Sequence, residues 1–233
     1  MQIHKAVIPA AGLGTRLLPA TKSQPKEMLP VGRKPTIQYV VEELYAAGIK
    51  HILIITSGQK RAIEDHFDID VVLTNRLKRG NKSLSVLDHV ELDIQLFYIR
   101  QKVLAGLGDA IGLAENFVSD EPFIVALGDS IIKSEHPGSL LKRLMNTHLA
   151  HNAGATIAFR EVERKNVVKY GIAVPKDEPG MEFELRDIIE KPTIKSAPSN
   201  LAVAARYVFS SDIFAYIEKT PPGAGGEIQI TGS

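Results

Sequence analysis

Short apolar runs alternate with longer amphipathic stretches over residues 1–155. The run His51–Thr56 is apolar at nearly every position, which is typical of a strand buried on both faces of a parallel sheet. Residues 35–47 instead carry apolar side chains at the i, i+3, i+4, i+7 and i+8 spacing of an amphipathic helix, and Gly48 follows where that helix should end. The alternation predicts an α/β unit with strands at 5–9, 51–56, 95–99, 123–127 and 155–159 and helices at 35–47, 60–67 and 139–151.

From about residue 160 the pattern changes to short strands separated by proline and glycine. It predicts strands at 170–174, 182–189 and 201–209, followed by a helix at 212–219. Residues 70–93 are harder to interpret, because their leucines suggest a helix that Gly80 interrupts. We expect a Rossmann-like three-layer α/β sandwich with a largely parallel mixed sheet. It should form one domain over 1–233, with halves at about 1–155 and 156–233.

Composition narrows the class of protein without identifying it. A formal net charge of +1 over 233 residues gives no reason to expect a nucleic acid or an anionic membrane as partner. No apolar run approaches the ~18–20 residues of a membrane-spanning helix, and the short run after Lys5 does not predict a signal peptide. The absence of cysteine excludes disulfides and thiolate chemistry. We expect a cytoplasmic protein.

The first predicted strand breaks into a loop of small residues that suits an anion. Gly12 and Gly14 have no Cβ to hold a phosphate away from the backbone N–H groups, and Arg16 adds a permanent cation. Prolines then stiffen the segment that carries Lys26 and Glu27. We therefore predict a nucleotide site that includes Ala10, Ala11, Gly12, Leu13, Gly14, Thr15, Arg16, Lys26 and Glu27.

Two familiar phosphate signatures do not fit this loop. The P-loop pattern G-x-x-x-x-G-K-[ST] is absent from it, and the dinucleotide pattern G-x-G-x-x-G requires glycine where the chain has Leu17. Leu17 therefore disfavours a nicotinamide-binding dehydrogenase. The G-x-G that remains is, by itself, equally well explained as a tight turn.

The longer run G-L-G-T-R-L-L-P-A-T-K, with P-K-E-M-L-P following closely, resembles the amino-terminal signature of the sugar-1-phosphate nucleotidyltransferases. Its second part is similar to that of the bacterial UTP–glucose-1-phosphate uridylyltransferases. The resemblance extends from Lys5 to Thr231 and implies the nucleotide-diphospho-sugar transferase type of fold. It also implies a Mg²⁺-dependent, in-line reaction of UTP with glucose-1-phosphate that gives UDP-glucose and pyrophosphate without a covalent intermediate. Arg16 and Lys26 would face the triphosphate.

Asp129 follows a predicted central strand, where open α/β sheets bind ligands. A carboxylate there could hold Mg²⁺ or simply accept a hydrogen bond from a backbone N–H group. The resemblance implies the first role, catalytic metal binding. Gly128 departs from the family, in which a proline usually precedes this aspartate.

The resemblance places recognition of the uracil base at five positions, which are Ala11, Gly12, Glu27, Gln101 and Gly106. Taken alone, Gln101 would be interpreted as an ordinary surface residue.

A third group lies in the second half of the chain. The resemblance implies that Gly171 lets the sugar approach, that Glu190 accepts hydrogen bonds from its hydroxyls and that Lys191 faces its phosphate. Without it, a strand glycine and an E-K-P triplet would indicate a bulge and a solvated turn. Ala205 stands where the family more often has glycine, and we expect it to narrow the sugar pocket.

The resemblance also bears on the end of the chain. Family members continue past Thr231 with an acidic residue and a portion that carries a second metal-binding aspartate and helices that help to form the dimer, whereas here Gly232 and Ser233 follow. We therefore expect a weakened homo-oligomer.

Two alternatives stay open at this point. One is a thymidylyltransferase that uses dTTP, although Glu27 favours the uridylyl branch. The other is a non-catalytic protein that binds nucleotide sugars.

Overall fold

The computed structural model of the protein describes residues 2–223, 226–228 and 230. Its strands are β1 (Lys5–Pro9), β2 (Pro30–Val31), β3 (Lys34–Pro35), β4 (His51–Thr56), β5 (Gln95–Arg100), β6 (Phe123–Ala126), β7 (Ala155–Glu161), β8 (Gly171–Pro175), β9 (Leu185–Glu190) and β10 (Leu201–Phe209). Its α-helices are α1 (Thr36–Ala47), α2 (Arg61–Phe67), α3 (Val71–Arg79), α4 (Leu107–Gly112), α5 (Glu115–Val118), α6 (Ser139–His151) and α7 (Ile213–Lys219). Short 3₁₀ turns lie in several of the connections.

All strands except the β2–β3 hairpin belong to one mixed sheet, with the order β5–β4–β1–β6–β10–β8–β9 and with β7 on the opposite edge of β10. β4 pairs in parallel with β5 and β1, and β1 pairs in parallel with β6. β10 is antiparallel to β6, β7 and β8, and β9 is antiparallel to β8. Within the described ranges, therefore, β9 and β10 run against the other strands of the sheet.

Helices cover both faces of the sheet, because successive side chains of a strand point to opposite faces. Ala6 and Ile8 of β1 pack into a core with α1, α2 and α6, whereas Val7 packs into a second core with α4, α5 and α7. β4 and β6 alternate in the same way. A smaller core lies around Ile172 and Ala202, where β8 meets β10. The three-layer α/β sandwich expected from the sequence is confirmed.

Two strands share one edge of β10, one after the other. β6 pairs with the second half of β10, with Ala126 opposite Arg206, and β8 pairs with its first half, with Ile172 opposite Ala202. The Leu127 N–H group still donates to the Ala205 carbonyl at 3.2 Å. The carboxyl end of β6 therefore lies close to the amino end of β8, which is where a ligand could touch both halves of the chain.

The elements expected from periodicity are present: β1, β4, α6 and β10 have the expected bounds, and the others differ by a few residues at their ends. The strand expected at 182–189 begins at Leu185. Residues 70–93, which the pattern left unresolved, contain α3 and a 3₁₀ turn at Leu84–Val90. The Asp70 carboxylate accepts a hydrogen bond from the Leu73 N–H group at 2.9 Å and begins α3, a capping signal that the periodicity does not contain. No helix in the described part of the chain has the length and apolarity to cross a membrane.

Ala205 lies in an irregular part of β10, where the register with β7 shifts between Val203 and Tyr207. Its φ of 58° falls in the left-handed region that favours glycine. The backbone conformation therefore favours glycine at this position, independently of the predicted effect of Ala205 on a sugar pocket.

We predict that Ala205→Gly stabilises the protein. Relief of left-handed strain, about 1–2 kcal/mol, should outweigh the added entropy of the unfolded chain, about 0.4–1 kcal/mol, for a net gain of about 0.5–1 kcal/mol. Urea unfolding measures this gain. The matched control Ala204→Gly, which relieves no such φ, should lose about 0.5–1 kcal/mol. Equal losses in the two variants would contradict the strain argument.

Candidate active site

The site is built from loops that leave the same edge of the sheet. β1 lies between β4 and β6, and all three strands run in parallel. Their carboxyl ends therefore point in one direction and carry the loop after Pro9, the turn after Thr56 and the loop that contains Asp129. This is the edge at which open α/β sheets bind their ligands.

The loop after β1 packs around the Lys26 side chain. Gly14 has a φ of 69°, and a Cβ built on it would lie 3.1 Å from the Lys26 Cβ. The Thr21 hydroxyl donates to the Gly14 carbonyl at 2.8 Å, which ties the loop to the following turn. A built Cβ at Gly12 lies 3.9 Å from the Lys26 Nζ. The two glycines thus bring backbone and cation together, as an anion site requires.

The other predicted residues of this loop lie at different depths. Ala10 and Ala11 are buried in the floor, with the Ala10 N–H group donating to the Ile55 carbonyl at 2.8 Å. Leu13 is exposed. Thr15 and Arg16 are exposed in a 3₁₀ turn, so the Arg16 guanidinium is available to an incoming anion.

One ion pair across the site joins Lys26 to Asp129. The Lys26 Nζ donates to the Asp129 Oδ2 at 2.6 Å, although the two residues are 103 positions apart in the chain. Both side chains are partly exposed, Lys26 by 25% and Asp129 by 32%. The structure therefore brings the predicted phosphate-facing cation and the predicted metal ligand into direct contact.

Beneath this pair lies a buried ion pair that the sequence did not predict. The Lys60 Nζ donates to the Glu27 Oε2 at 2.8 Å, and both residues are buried. Burial raises the pKa of the Glu27 carboxyl above its usual value, and the Lys60 ammonium opposes that shift. The Glu27 Oε1 has no hydrogen-bond partner within the described residues. Glu27 thus lies under the site surface, while its predicted contact with the base stays a prediction.

Gln101 and Gly106 lie together at the end of β5. The Gln101 amide Nε2 donates to the Asp109 Oδ2 at 2.6 Å and to the Gly106 carbonyl at 3.2 Å, and Gln101 is buried. Gly106 has a φ of 104°, and its built Cβ would lie 2.7 Å from the Ile228 carbonyl oxygen. The glycine is therefore required by the close approach of the segment around Ile228, in addition to any role toward a base.

The segment around Ile228 also forms backbone hydrogen bonds with the loop that follows β5 and with the start of α4. The Ile228 N–H group donates to the Ala105 carbonyl at 2.7 Å, and the Gly108 N–H group donates to the Ile228 carbonyl at 2.8 Å. The positions that were expected to show how the chain differs from longer family members, Thr231, Gly232 and Ser233, lie outside the described residues.

The third predicted group, which consists of Gly171, Glu190 and Lys191, lies where β8 and β9 pair. Gly171 is paired with Glu190, and a built Cβ at Gly171 would lie 3.0 Å from the Glu190 Oε2. The Lys191 Nζ lies 3.5 Å from the Glu190 Oε1. Burial, with a smaller effect of the Glu190 charge, raises the pKa of Tyr207 on β10 to about 12. The Glu190 carboxylate therefore lies near β10, at the end of β8 that approaches β6, and the Lys191 ammonium lies next to that carboxylate.

A divalent cation at this site would depend on its substrate for most of its ligands. No cluster of three or more His, Cys, Asp or Glu side chains that could hold a metal occurs in the described ranges. Among the described residues around the loop after β1, Asp129 supplies a partly exposed carboxylate. This donor set fits a hard cation that takes one or two carboxylates and completes its shell with phosphate oxygens and water.

Arg206 supports the loop that presents Asp129. Its guanidinium is fully buried and donates to the Glu43 Oε2 at 2.7 Å and to the Ser130 carbonyl at 2.8 Å. Since Ser130 follows Asp129 directly, this contact fixes the backbone next to the predicted metal ligand. Arg206 belongs to β10 and Glu43 to α1, so these contacts join both elements to the loop after β6 that contains Ser130.

Sequence reasoning missed Lys60, Asp109 and the Arg206–Glu43 pair. Lys60 and Glu27 are 33 positions apart, and Arg206 and Glu43 are 163 apart, so no local pattern relates them. Asp109 lies only eight positions from Gln101, so the sequence could have indicated it. A carboxylate so close to a glutamine side chain is a ready hydrogen-bond acceptor for its amide.

The chain is similar to nucleotide-handling proteins over nearly its whole length. The family model described as nucleotidyl transferase matches residues 5–231. The UTP–glucose-1-phosphate uridylyltransferase of Bacillus subtilis (strain 168) is 47% identical over 233 residues, which cover 99% of this chain and 78% of that protein. The enzyme of the same name from Staphylococcus haemolyticus (strain JCSC1435) is 48% identical, with 99% and 80% covered.

Solved structures agree with this similarity. A crystal structure of UDP-glucose pyrophosphorylase complexed with UDP-glucose superposes with a TM-score of 0.86 and 41% identity, covering 99% of this chain and 84% of that one. The UTP-bound UGPase from Acinetobacter baumannii superposes with a TM-score of 0.90 and 36% identity, covering 99% and 80%.

We predict that Arg206→Met destabilises the fold by about 3–5 kcal/mol, because it leaves the Glu43 carboxylate buried without its cation. The double variant Arg206→Met/Glu43→Met should recover most of this loss, since an apolar pair can replace a buried ion pair. Urea unfolding measures both. The control Lys176→Met breaks an exposed ion pair with Glu184 and should cost less than about 1 kcal/mol. A loss as small for Arg206→Met as for the control would contradict the buried-pair account.

Proposed function

The chain belongs to the nucleotidyl transferase family, and we propose that it transfers the uridylyl group of UTP to glucose-1-phosphate, giving UDP-glucose and pyrophosphate. The names of its relatives support this substrate pair. The single structural observation that carries the proposal is the contact of Lys26 with Asp129 at the mouth of the glycine loop. It supports the proposal because the cation that we assign to the phosphates and the carboxylate that we assign to the metal lie where a triphosphate would meet both.

The chemistry is an in-line displacement. A phosphate oxygen of glucose-1-phosphate attacks the α-phosphorus of UTP, and the bond from that phosphorus to the bridging oxygen of the β-phosphate breaks as pyrophosphate leaves. No protein nucleophile is required, so the protein has to hold two anionic reactants in line and neutralise their charge.

Lys26 and Arg16 supply that charge on the side of UTP. Lys26 lies between the glycine loop and Asp129, and the exposed Arg16 extends from the same loop. The backbone N–H groups next to Gly12 and Gly14 add dipoles that cost no reorganisation during the reaction. Together these groups favour the triphosphate and the charge that develops on the departing pyrophosphate.

Nucleotidyl transferases generally use a divalent metal ion, and we propose that it is Mg²⁺ here. Asp129 would hold it together with phosphate oxygens of UTP, as its partly exposed carboxylate allows. When bound, such an ion neutralises phosphate charge and orients the α-phosphate. The Lys26 ammonium would then leave the Asp129 carboxylate and contact a phosphate of UTP.

The second substrate is assigned to the β8–β9 end of the site. Glu190 would accept hydrogen bonds from glucose hydroxyls, Lys191 would face the phosphate, and Gly171 leaves the space that the Glu190 carboxylate occupies. Because β6 and β8 follow one another along β10, a sugar phosphate held there lies next to the Asp129 loop. The base would be read by Ala11, Gly12, Glu27, Gln101 and Gly106.

We further propose that the reaction takes place in the cytoplasm, which a sequence without cysteine supports. No nucleic acid or membrane partner is part of the proposal.

A screen of nucleoside triphosphates against sugar-1-phosphates, with Mg²⁺ present, tests this function through pyrophosphate release. We expect the highest kcat/KM for UTP with glucose-1-phosphate. Equal or faster release with dTTP would move the assignment to a thymidylyltransferase. Binding of UDP-glucose without release of pyrophosphate would indicate a protein that only binds the nucleotide sugar.

Lys26→Ala should lower kcat by about two or more decades with the fold intact, because a cation facing the transition-state phosphate is worth roughly 2–4 kcal/mol, by analogy with oxyanion donors. Steady-state pyrophosphate release measures the rate, and circular dichroism checks the fold. Lys142→Ala, which removes an exposed lysine from α6, is the matched control and should keep the wild-type rate. A near-normal rate for Lys26→Ala would remove Lys26 from the mechanism.

A further inference from the structure

We propose that Lys60 is a positioning residue for this reaction: by neutralising Glu27 from below, it keeps the Lys26 ammonium available to Asp129 and to the triphosphate. The inference rests on the proposed function, since it takes Lys26 as the cation that faces the phosphates. It assigns a role to a lysine that does not itself touch the ligand.

Four charges of alternating sign form a row that begins with Asp129 and Lys26 at the site surface and continues to Glu27 and Lys60. Lys60 contacts the Glu27 Oε2 at 2.8 Å, Lys26 lies 3.9 Å from the Glu27 Oε1, and Lys26 contacts Asp129 at 2.6 Å. The exposed fraction of the side chain is 32% at Asp129 and 25% at Lys26, and it is only 0% at Glu27 and 5% at Lys60. The row therefore runs from the surface, where a substrate arrives, into the protein.

Glu27 has two cations within reach, and only one of them is hydrogen-bonded to it. A buried carboxylate without a cation is strongly unfavourable, so it takes whichever partner remains. With Lys60 in place, the Glu27 Oε1 stays without a hydrogen bond although Lys26 is 3.9 Å away. Without Lys60, the nearest compensating charge would be Lys26, which would turn inward and leave Asp129.

The surrounding backbone holds this arrangement from two sides. The Lys60 N–H group donates to the Ser57 carbonyl at 3.0 Å, directly after β4, and the Lys60 carbonyl accepts from the Ile63 N–H group at 2.9 Å, at the start of α2. Glu27 is confined on the other side by Gly128, whose built Cβ would lie 3.3 Å from the Glu27 Cγ. Glu27 thus has little room to follow a change at position 60.

A double-mutant cycle between Lys60 and Lys26 tests the inference. Lys60→Met keeps the length of the side chain and removes its charge, and we expect it to lower kcat and the affinity for UTP by about tenfold or more. Because Lys60 acts through Lys26, adding Lys60→Met to Lys26→Ala should change either quantity by less than about twofold. Arg61→Met, which removes the adjacent and exposed cation, is the matched control and should behave like the wild type.

A purely structural role would give a different result. It would lower the unfolding temperature of Lys60→Met yet leave the kcat of the folded enzyme unchanged. Alternatively, if the two lysines act independently, the losses of kcat in Lys60→Met and Lys26→Ala would multiply in the double variant. Either outcome overturns the inference. If Lys60→Met does not fold, Lys60→Gln, which keeps a donor for Glu27 but no charge, enters the same cycle with the same expected results.

The two proposals fail in distinguishable ways. A wild-type chain that binds UTP in calorimetry but forms no UDP-glucose overturns the proposed function, and the cycle on UTP affinity still decides the role of Lys60. An active wild type with multiplicative losses overturns the role of Lys60 alone. A wild type that neither binds UTP nor turns over overturns both.

Discussion

The ion pair between Lys26 and Asp129 is the interaction on which the site depends. Its two residues come from distant parts of the chain and meet only because β1 and β6 are adjacent parallel strands, whose carboxyl ends deliver the two loops to one edge of the sheet. Each partner compensates the other while the site is partly open to solvent. A magnesium-bound triphosphate would offer each a stronger partner, since the cation meets phosphate and the carboxylate meets metal.

The long strand β10 gives the second constraint. Because β6 and β8 use successive parts of one of its edges, the loop after β6 that carries Asp129 and the amino end of β8, where Gly171 is paired with Glu190, follow one another along β10. The irregularity around Ala205 falls between those two pairings, and the next residue, Arg206, anchors Ser130 from within the core. One strand therefore sets the spacing between the Asp129 loop and the paired residues Gly171 and Glu190, and it also holds the backbone at Ser130.

The layers and most strands could be predicted because buried parallel strands leave short apolar runs and helices leave a 3.6-residue period. Gly12, Gly14 and Asp129 could be placed at one edge of the sheet because they follow the ends of β1 and β6, whereas Lys26 is assigned to the same site from the proline-rich segment and the family resemblance. Lys60 could not be predicted, since a lysine before a helix looks solvated until the fold places Glu27 above it. The predicted role of Gly106 toward the base stays a prediction, and the close approach of Ile228 to this glycine is a tertiary contact that no local pattern contains.

The most direct measurement is a crystal structure of the chain with UDP-glucose bound. We expect the diphosphate against Gly12 and Gly14, with Lys26 turned from Asp129 toward it and the glucose hydroxyls on Glu190. A diphosphate that lies away from this loop, with Lys26 still held by Asp129, would contradict the account.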